Sequence, residues 1–213
     1  MEETFAFFKL DKNTEFDLFF EIYSKHNTEL WENYRNNGIG KKELTKKRFE
    51  NTFTELEICG IDPVVMNGHY LKVMPKQKQL NDGVMETLRY LKEKKYLLFI
   101  ITNGFRDVQH EKLISSGLNS FFSKMFISEE VKTPKPGLKI FEYAVKSSNA
   151  KKAKSIMIGD DWKVDVLGAL NFGMDAVYFQ KNPELDFQEL SFNDVNTGQF
   201  YKIGSIQQLK NIL

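Results

Sequence analysis

A chain of 213 residues is long for one ordinary domain and short for two full ones, which predicts a core with a sizeable insertion. Thirty Lys+Arg against 29 Asp+Glu leave a net charge of +1, so the overall balance calls for neither a nucleic acid polymer nor a membrane surface as partner. One cysteine, Cys59, cannot form an internal disulfide; it reads as a small buried apolar residue in a reducing, cytoplasmic setting, and the apolar runs fall far short of a membrane span.

In chain order, Phe16, Phe19, Phe20, Tyr23, Leu30, Trp31 and Tyr34 recur at helical spacing, which predicts one or two amphipathic helices. Gly38 and Gly40 break that pattern, Lys41 to Phe53 reads as another helix, and Asp62-Pro63 opens a further one toward Met74. After Pro75 the pattern becomes an alternation of helix and short apolar strand. Helices are expected at Gly83–Lys94, Phe105–Ser116, Gly137–Ser148, Trp162–Phe172 and Ser205–Leu213. Strands are expected at Leu97–Ile101, Met125–Ile127, Ser155–Ile158, Ala176–Tyr178 and Tyr201–Ile203. Such alternation implies an α/β fold, a Rossmann-like parallel sheet core spanning 75–213, joined to an all-helical domain spanning 1–74.

Three strand ends carry groups suited to chemistry, and ligands of open α/β sheets bind beyond the strands' C-terminal ends. Thr102-Asn103-Gly104 offers a hydroxyl and backbone N–H groups that suit a phosphate, or an ordinary helix cap. In SEEVKTPKPG, Lys135 lies between Pro134 and Pro136, either as a positioned point charge or as a solvated loop lysine. In SIMIGDDWKVD, Asp160, Asp161 and Asp165 supply hard oxygen ligands of the kind Mg2+ prefers, unless Asp160 only caps the helix that follows. Hydroxyl, cation and carboxylates in this order can together hold a phosphomonoester.

With those residues in place the chain resembles the haloacid dehalogenase-like (HAD) hydrolases, whose second, third and fourth motifs are matched by ITNGF, KTPKPGLKIF and IGDDWKVDVLGALNFGM. The helical part resembles the cap inserted after the first motif. The stretch from Leu30-Trp31 to Tyr34-Arg35, followed by KKELTKKRF, resembles pyrimidine and non-canonical nucleotide 5′-nucleotidases. The resemblance implies a Mg2+-dependent phosphatase of small phosphomonoesters, nucleoside 5′-monophosphates foremost, working through an aspartyl-phosphate. It implies that Thr102, Asn103, Gly104 and Lys135 bind phosphate, with Lys135 and Thr102 acting in catalysis. It also implies that Asp160 binds Mg2+, that Asp165 assists directly or through water, and that Asp161 contributes less. Trp31, Tyr34 and Arg35 are candidates to stack on a base or sugar, or else belong to the helix's packed or surface face. Two rivals stay open: a 2-haloacid dehalogenase, which shares the fold but needs no Mg2+, and a catalytically inactive binder of phosphate ligands. Either a monomer or a homodimer fits.

The sequence departs from the family at the first motif, DxDx[TV] at the end of an N-terminal strand: no Asp-x-Asp triplet occurs in the 213 residues. In one register Met1 already lies in the helix after that motif. In the other, Thr4–Leu10 is a degenerate first strand in which Lys9 and Asp11 stand at the two aspartate positions. The first strand of this fold lies mid-sheet, so without it two neighbours keep unpaired backbone groups at about 1–3 kcal/mol each, against a total stability of roughly 5–15 kcal/mol. The expectation is therefore that the chain is part of a longer protein, or that Thr4–Leu10 or a second chain fills the slot.

Overall fold

The structure, a computed structural model, describes residues 1–182 and 198–213 together with the main chain of 188–190. Its contacts divide the chain into two units, residues 1–77 with 110–115, and residues 78–109 with 116–213.

The first unit is helical: α1 (Glu2–Phe7), α2 (Phe16–Arg35), α3 (Lys41–Glu55) and α4 (Pro63–Val73). The helical spacing in the sequence works as expected, placing Phe19 and Tyr23 of α2 against Phe49 and Phe53 of α3 and Met66 of α4 in one buried cluster. Asp62 caps α4, its Oδ1 accepting from Val64 N–H at 2.7 Å, with Pro63 at the first helical position where no donor is needed. Inside this unit Arg48 is only 3% exposed. A buried guanidinium has to be hydrogen-bonded, and Arg48 donates to Oδ1 of both Asn67 and Asn27 while lying 5.0 Å from the centre of the Tyr70 ring. Burial pushes the neighbouring Tyr23 phenol above the usual tyrosine range, with Arg48 pulling the other way.

Two expectations are corrected here. Thr4–Leu10 is not a strand. It forms α1 and the start of a 3-10 turn at Leu10–Lys12, and Phe5 and Leu10 bury into the helical cluster because Phe5 and Phe8 sit one turn apart rather than alternating. Cys59 is exposed rather than buried, because it lies in the short connection between α3 and α4, just past Glu57 at φ +53°, with Sγ turned to the Glu57 carbonyl.

The second unit begins with α5 (Val84–Glu93) and alternates as the sequence predicts: β1 (Phe99–Thr102), α6 (Arg106–Ser115, which runs on into the first unit), β2 (Lys124–Ile127), α7 (Ser128–Val131), α8 (Leu138–Ser147) and β3 (Ile156–Gly159). There follow α9 (Leu167–Phe172), β4 (Asp175–Phe179), β5 (Gln188–Leu190), β6 (Phe200–Ile203) and a terminal 3-10 helix at Ile206–Asn211. Pairing is parallel within β1–β2 and within β3–β4–β6, and β5 joins β6 antiparallel. Ile140 and Phe141 of α8 pack with Ala169 and Leu170 of α9 and Ala176 of β4, each fully or almost fully buried and each large side chain contributing about 1.5–3 kcal/mol.

Among the described residues the strands form two sheets rather than one, β1–β2 and β3–β4–β6–β5. β1 and β3 are both edge strands and line a common cleft of about 1050 Å3. Their apolar runs, FIIT and IMIG, are accordingly half-buried throughout, whereas Ala176 and Val177 of the interior strand β4 are fully buried. Two expected helices also differ. The segment after Asp161 starts as a π-turn at Trp162–Val166 before α9 begins, and the C-terminal helix is 3-10, opened by a Ser205/Gln208 capping box.

Candidate functional site

Lys135 is the centre of the site. It is 7% exposed, and its Nζ donates to the Ile101 carbonyl and to Asp165 Oδ1, each at 2.7 Å. Those two bonds tie the C-terminal end of β1 to the turn after β3, and they use two of the three N–H donors of the ammonium. The reading of Lys135 as a solvated loop lysine is thereby excluded. Asn103 holds its main chain from the other side: Lys135 N–H donates to Asn103 Oδ1 at 2.8 Å and Asn103 Nδ2 donates to the Lys135 carbonyl at 2.9 Å.

On either side of Asn103 in the chain, the Thr102 hydroxyl oxygen accepts from Gly104 N–H at 3.0 Å. That bond engages the Gly104 N–H, which the sequence had suggested for a ligand oxygen, and leaves the Thr102 hydroxyl proton to donate. The N-terminus of α6 is also engaged, because Glu129 Oε2 accepts from Arg106 N–H at 2.7 Å. Glu129 is a residue the sequence reading passed over; its signal was the acidic pair in SEEVKTPKPG. The first N–H of α6 is thus taken by Glu129, while the Thr102 hydroxyl and the Lys135 ammonium each keep a donor.

The three aspartates take three different roles. Asp161, not Asp160, is the cap: its Oδ1 accepts from Val164 N–H at 2.9 Å. Asp165 is 6% exposed and turns back to Lys135, with Oδ2 also accepting from Asp161 N–H at 3.3 Å. The π-turn makes that return possible, closing Val166 N–H on the Asp161 carbonyl. Gly159 is required there, since a Cβ at that position would overlap Cβ, Cγ and Oδ2 of Asp165. Asp160 is exposed at the end of β3 and lines the cleft mouth with Lys135 and Asp165.

Among the described residues no group of three or more His, Cys, Asp or Glu side chains converges as a full metal shell. Mg2+ takes only one or two protein carboxylates when water and phosphate oxygens complete its octahedron, so Asp160 fits such an ion and Asp165 fits as its neighbour through water. Trp31, Tyr34 and Arg35 belong to the helical unit, where all three are half-buried at the end of α2 and Trp31 packs edge-on to Tyr34 with ring centres 5.6 Å apart.

Parallel strands with crossover helices thus carry a lysine–aspartate pair across the C-terminal ends of β1 and β3. The haloacid dehalogenase-like hydrolase family profile matches residues 16–179, and the chain belongs to that family. It is 32% identical to the pyrimidine 5′-nucleotidase YjjG of Escherichia coli over 156 residues, 73% of this chain and 68% of that protein. It is 40% identical to glyceraldehyde 3-phosphate phosphatase of Methanothermobacter thermautotrophicus over 127 residues, 60% of this chain and 55% of that protein. The chain thus spans about half to two thirds of the length of the curated relatives it matches. Its fold is similar to that of the HAD-hydrolase YfnB of Bacillus subtilis bound to magnesium, with a TM-score of 0.81 and 23% identity, covering 100% of this chain and 88% of that one. No helix among the described residues is long and apolar enough to cross a membrane.

Proposed function

We propose that the chain binds the phosphoryl group of a small phosphomonoester, a nucleoside 5′-monophosphate foremost, at the mouth formed by Thr102, Lys135 and Asp160, as part of a Mg2+-dependent phosphatase. The observation that carries this reading is Lys135 itself: a buried ammonium with two donors anchored and one remaining, held to the carbonyl of Ile101, the residue before Thr102, whose hydroxyl oxygen accepts from Gly104 N–H and keeps its proton to donate. Lys135 offsets the charge of the phosphate, Thr102 orients one of its oxygens, and Asn103 holds the lysine in place. Mg2+, held by Asp160 and by Asp165 through water, would supply further charge neutralisation. No Asp-x-Asp pair is present in these 213 residues, so the attacking carboxylate of an aspartyl-phosphate mechanism has no assigned residue here. Similarity to a pyrimidine 5′-nucleotidase and to a glyceraldehyde 3-phosphate phosphatase supports a small phosphate ester as ligand. The helical unit with Trp31, Tyr34 and Arg35 is proposed as the cap that selects it.

The test is a panel of nucleoside 5′-monophosphates, glyceraldehyde 3-phosphate and 2-haloacids, followed for binding and for release of phosphate or halide with and without Mg2+. Mg2+-enhanced phosphate-ester binding or turnover that Thr102→Val weakens supports the proposal. Halide release independent of Mg2+ points to a dehalogenase and overturns it, as does the absence of any phosphate binding. Tight binding without turnover assigns the chain to the inactive binders.

A further inference from the structure

Three asparagines of the chain precede a glycine: Asn37, Asn67 and Asn103. Glycine has no Cβ to shield its backbone nitrogen, so in an Asn-Gly pair that is free to move, that nitrogen can reach the asparagine's own side-chain amide. The fold decides which pair is free. Asn67 lies within α4, is 8% exposed, and its Oδ1 accepts from Arg48 at 3.1 Å. Asn103 has both ends of its amide engaged by the Lys135 peptide, and the Gly104 N–H donates to the Thr102 hydroxyl. Asn37 differs on every count. It lies just past the C-terminal end of α2, it and Gly38 are exposed, its φ is +59°, and its side chain makes no hydrogen bond among the described residues. One bond restrains the pair, from Gly38 N–H to the Asn33 carbonyl at 2.8 Å, and it closes the last turn of α2, where helices fray.

We propose that Asn37 is a site of self-modification, converted with time to aspartate and isoaspartate without any enzyme, while Asn67 and Asn103 are held back by their hydrogen bonds. When the last turn of α2 opens, the Gly38 nitrogen loses its proton to hydroxide and attacks Asn37 Cγ. A new C–N bond forms, the bond from Cγ to the side-chain nitrogen breaks, and that nitrogen takes up a proton from water and leaves as ammonia, closing a cyclic succinimide. Water then adds to one of the two ring carbonyls. Opening on one side restores the ordinary main chain with aspartate at 37; opening on the other routes the main chain through the side chain as isoaspartate. Water is consumed and ammonia released, and nothing is oxidised or reduced. Either product sets a carboxylate at the end of α2, two residues after Arg35, where main-chain carbonyls already concentrate negative charge. Isoaspartate also adds a methylene to the main chain, which carries Gly38 N–H away from the Asn33 carbonyl. The modified chain therefore has a frayed α2 end in the stretch that holds Trp31, Tyr34 and Arg35.

The test is to hold the whole chain at mildly alkaline pH, sample it over days, digest it with trypsin and follow the peptide Asn36–Lys41 by mass spectrometry, with enzymatic carboxyl methylation reporting isoaspartate. That peptide should gain the mass of an amide-to-acid change, placed at Asn37 by its fragments, at least about tenfold faster than the peptides that hold Asn67 and Asn103. In concentrated urea, where the bonds to Arg48 and Lys135 are gone, all three should convert at similar rates. Equal rates at the three positions in the folded chain would overturn the proposal. So would conversion of Asn103 ahead of Asn37, or an Asn36–Lys41 peptide that stays unchanged while the unfolded chain reacts. Asn37→Asp, which tolerates the same positive φ, stands in for the aspartate product and should lower the thermal midpoint of the folded chain. An unchanged midpoint would overturn the effect assigned to the new charge at the end of α2.

Discussion

The Asn103 side chain and the Lys135 peptide exchange two hydrogen bonds, at 2.8 and 2.9 Å, in the way one strand pairs with another. Asn103 therefore positions Lys135 without touching its ammonium. Asn103→Leu removes both bonds at about 0.5–1.5 kcal/mol each, so urea unfolding should show a loss of roughly 1–3 kcal/mol. Phosphate affinity, measured by titration, should fall about tenfold with it. Asn103→Asp, which keeps the acceptor for Lys135 N–H but sets an oxygen against the Lys135 carbonyl, should fall between wild type and leucine.

Lys135 and Asp165 are buried together, so neither tolerates loss of the other. Lys135→Met should cost about 3–5 kcal/mol because Asp165 remains as a buried carboxylate without its cation. The double variant Lys135→Met/Asp165→Leu should be more stable than Lys135→Met alone, a non-additivity that a double-mutant cycle in urea measures directly. Strict additivity would show that the pair is not coupled.

Adjacent aspartates should respond oppositely to substitution. Asp161→Ala removes the cap of the π-turn and should cost about 0.5–2 kcal/mol by thermal unfolding. Asp160→Asn touches no cap and should leave the unfolding midpoint unchanged, while removing the enhancement of phosphate binding by Mg2+.

Gly159→Ala would drive a methyl group into Asp165, whose return to Lys135 leaves it no room to move. Overpacking of this kind costs about 1–3 kcal/mol. The expected result is a lower unfolding midpoint together with weaker phosphate binding, although the substituted residue bears no functional group.

In the helical unit, burial raises the Tyr23 phenol above its ordinary value of 10.0. An acid whose folded pKa is raised binds its proton more tightly when folded, so this contribution to stability is complete below about pH 10 and is lost as pH rises beyond it. Thermal unfolding between pH 8 and 11, taken as approximate limits, should show an alkaline loss that Tyr23→Phe reduces. An identical loss in Tyr23→Phe would assign the effect to other groups.

The helices of the first unit and the alternation after Pro75 were legible in the sequence, since helical and strand periodicities are local properties of which side chains face a core. Thr102 and the aspartates stood out because each follows an apolar strand, and Lys135 because two prolines flank it; the structure joins Lys135 to Asp165. Their division of labour was not legible. Asp160 and Asp161 look alike as letters, and only the π-turn decides that Asp161 caps and Asp165 turns back to the lysine. Lys135 could be read as exposed until Ile101 and Asp165, both about thirty residues distant in sequence, closed on it. Of the two registers open for the N-terminus, only the packing of Phe5 and Leu10 among distant helices decides for the helical one, and Cys59 was misread because its exposure is set by the turn between α3 and α4. By itself the sequence determined the element types and the chemical groups gathered at the strand ends. The tertiary structure alone decided which groups are engaged by neighbours, and that β1 and β3 face each other across a cleft, because hydrogen-bond pairing and burial depend on residues that only folding brings together.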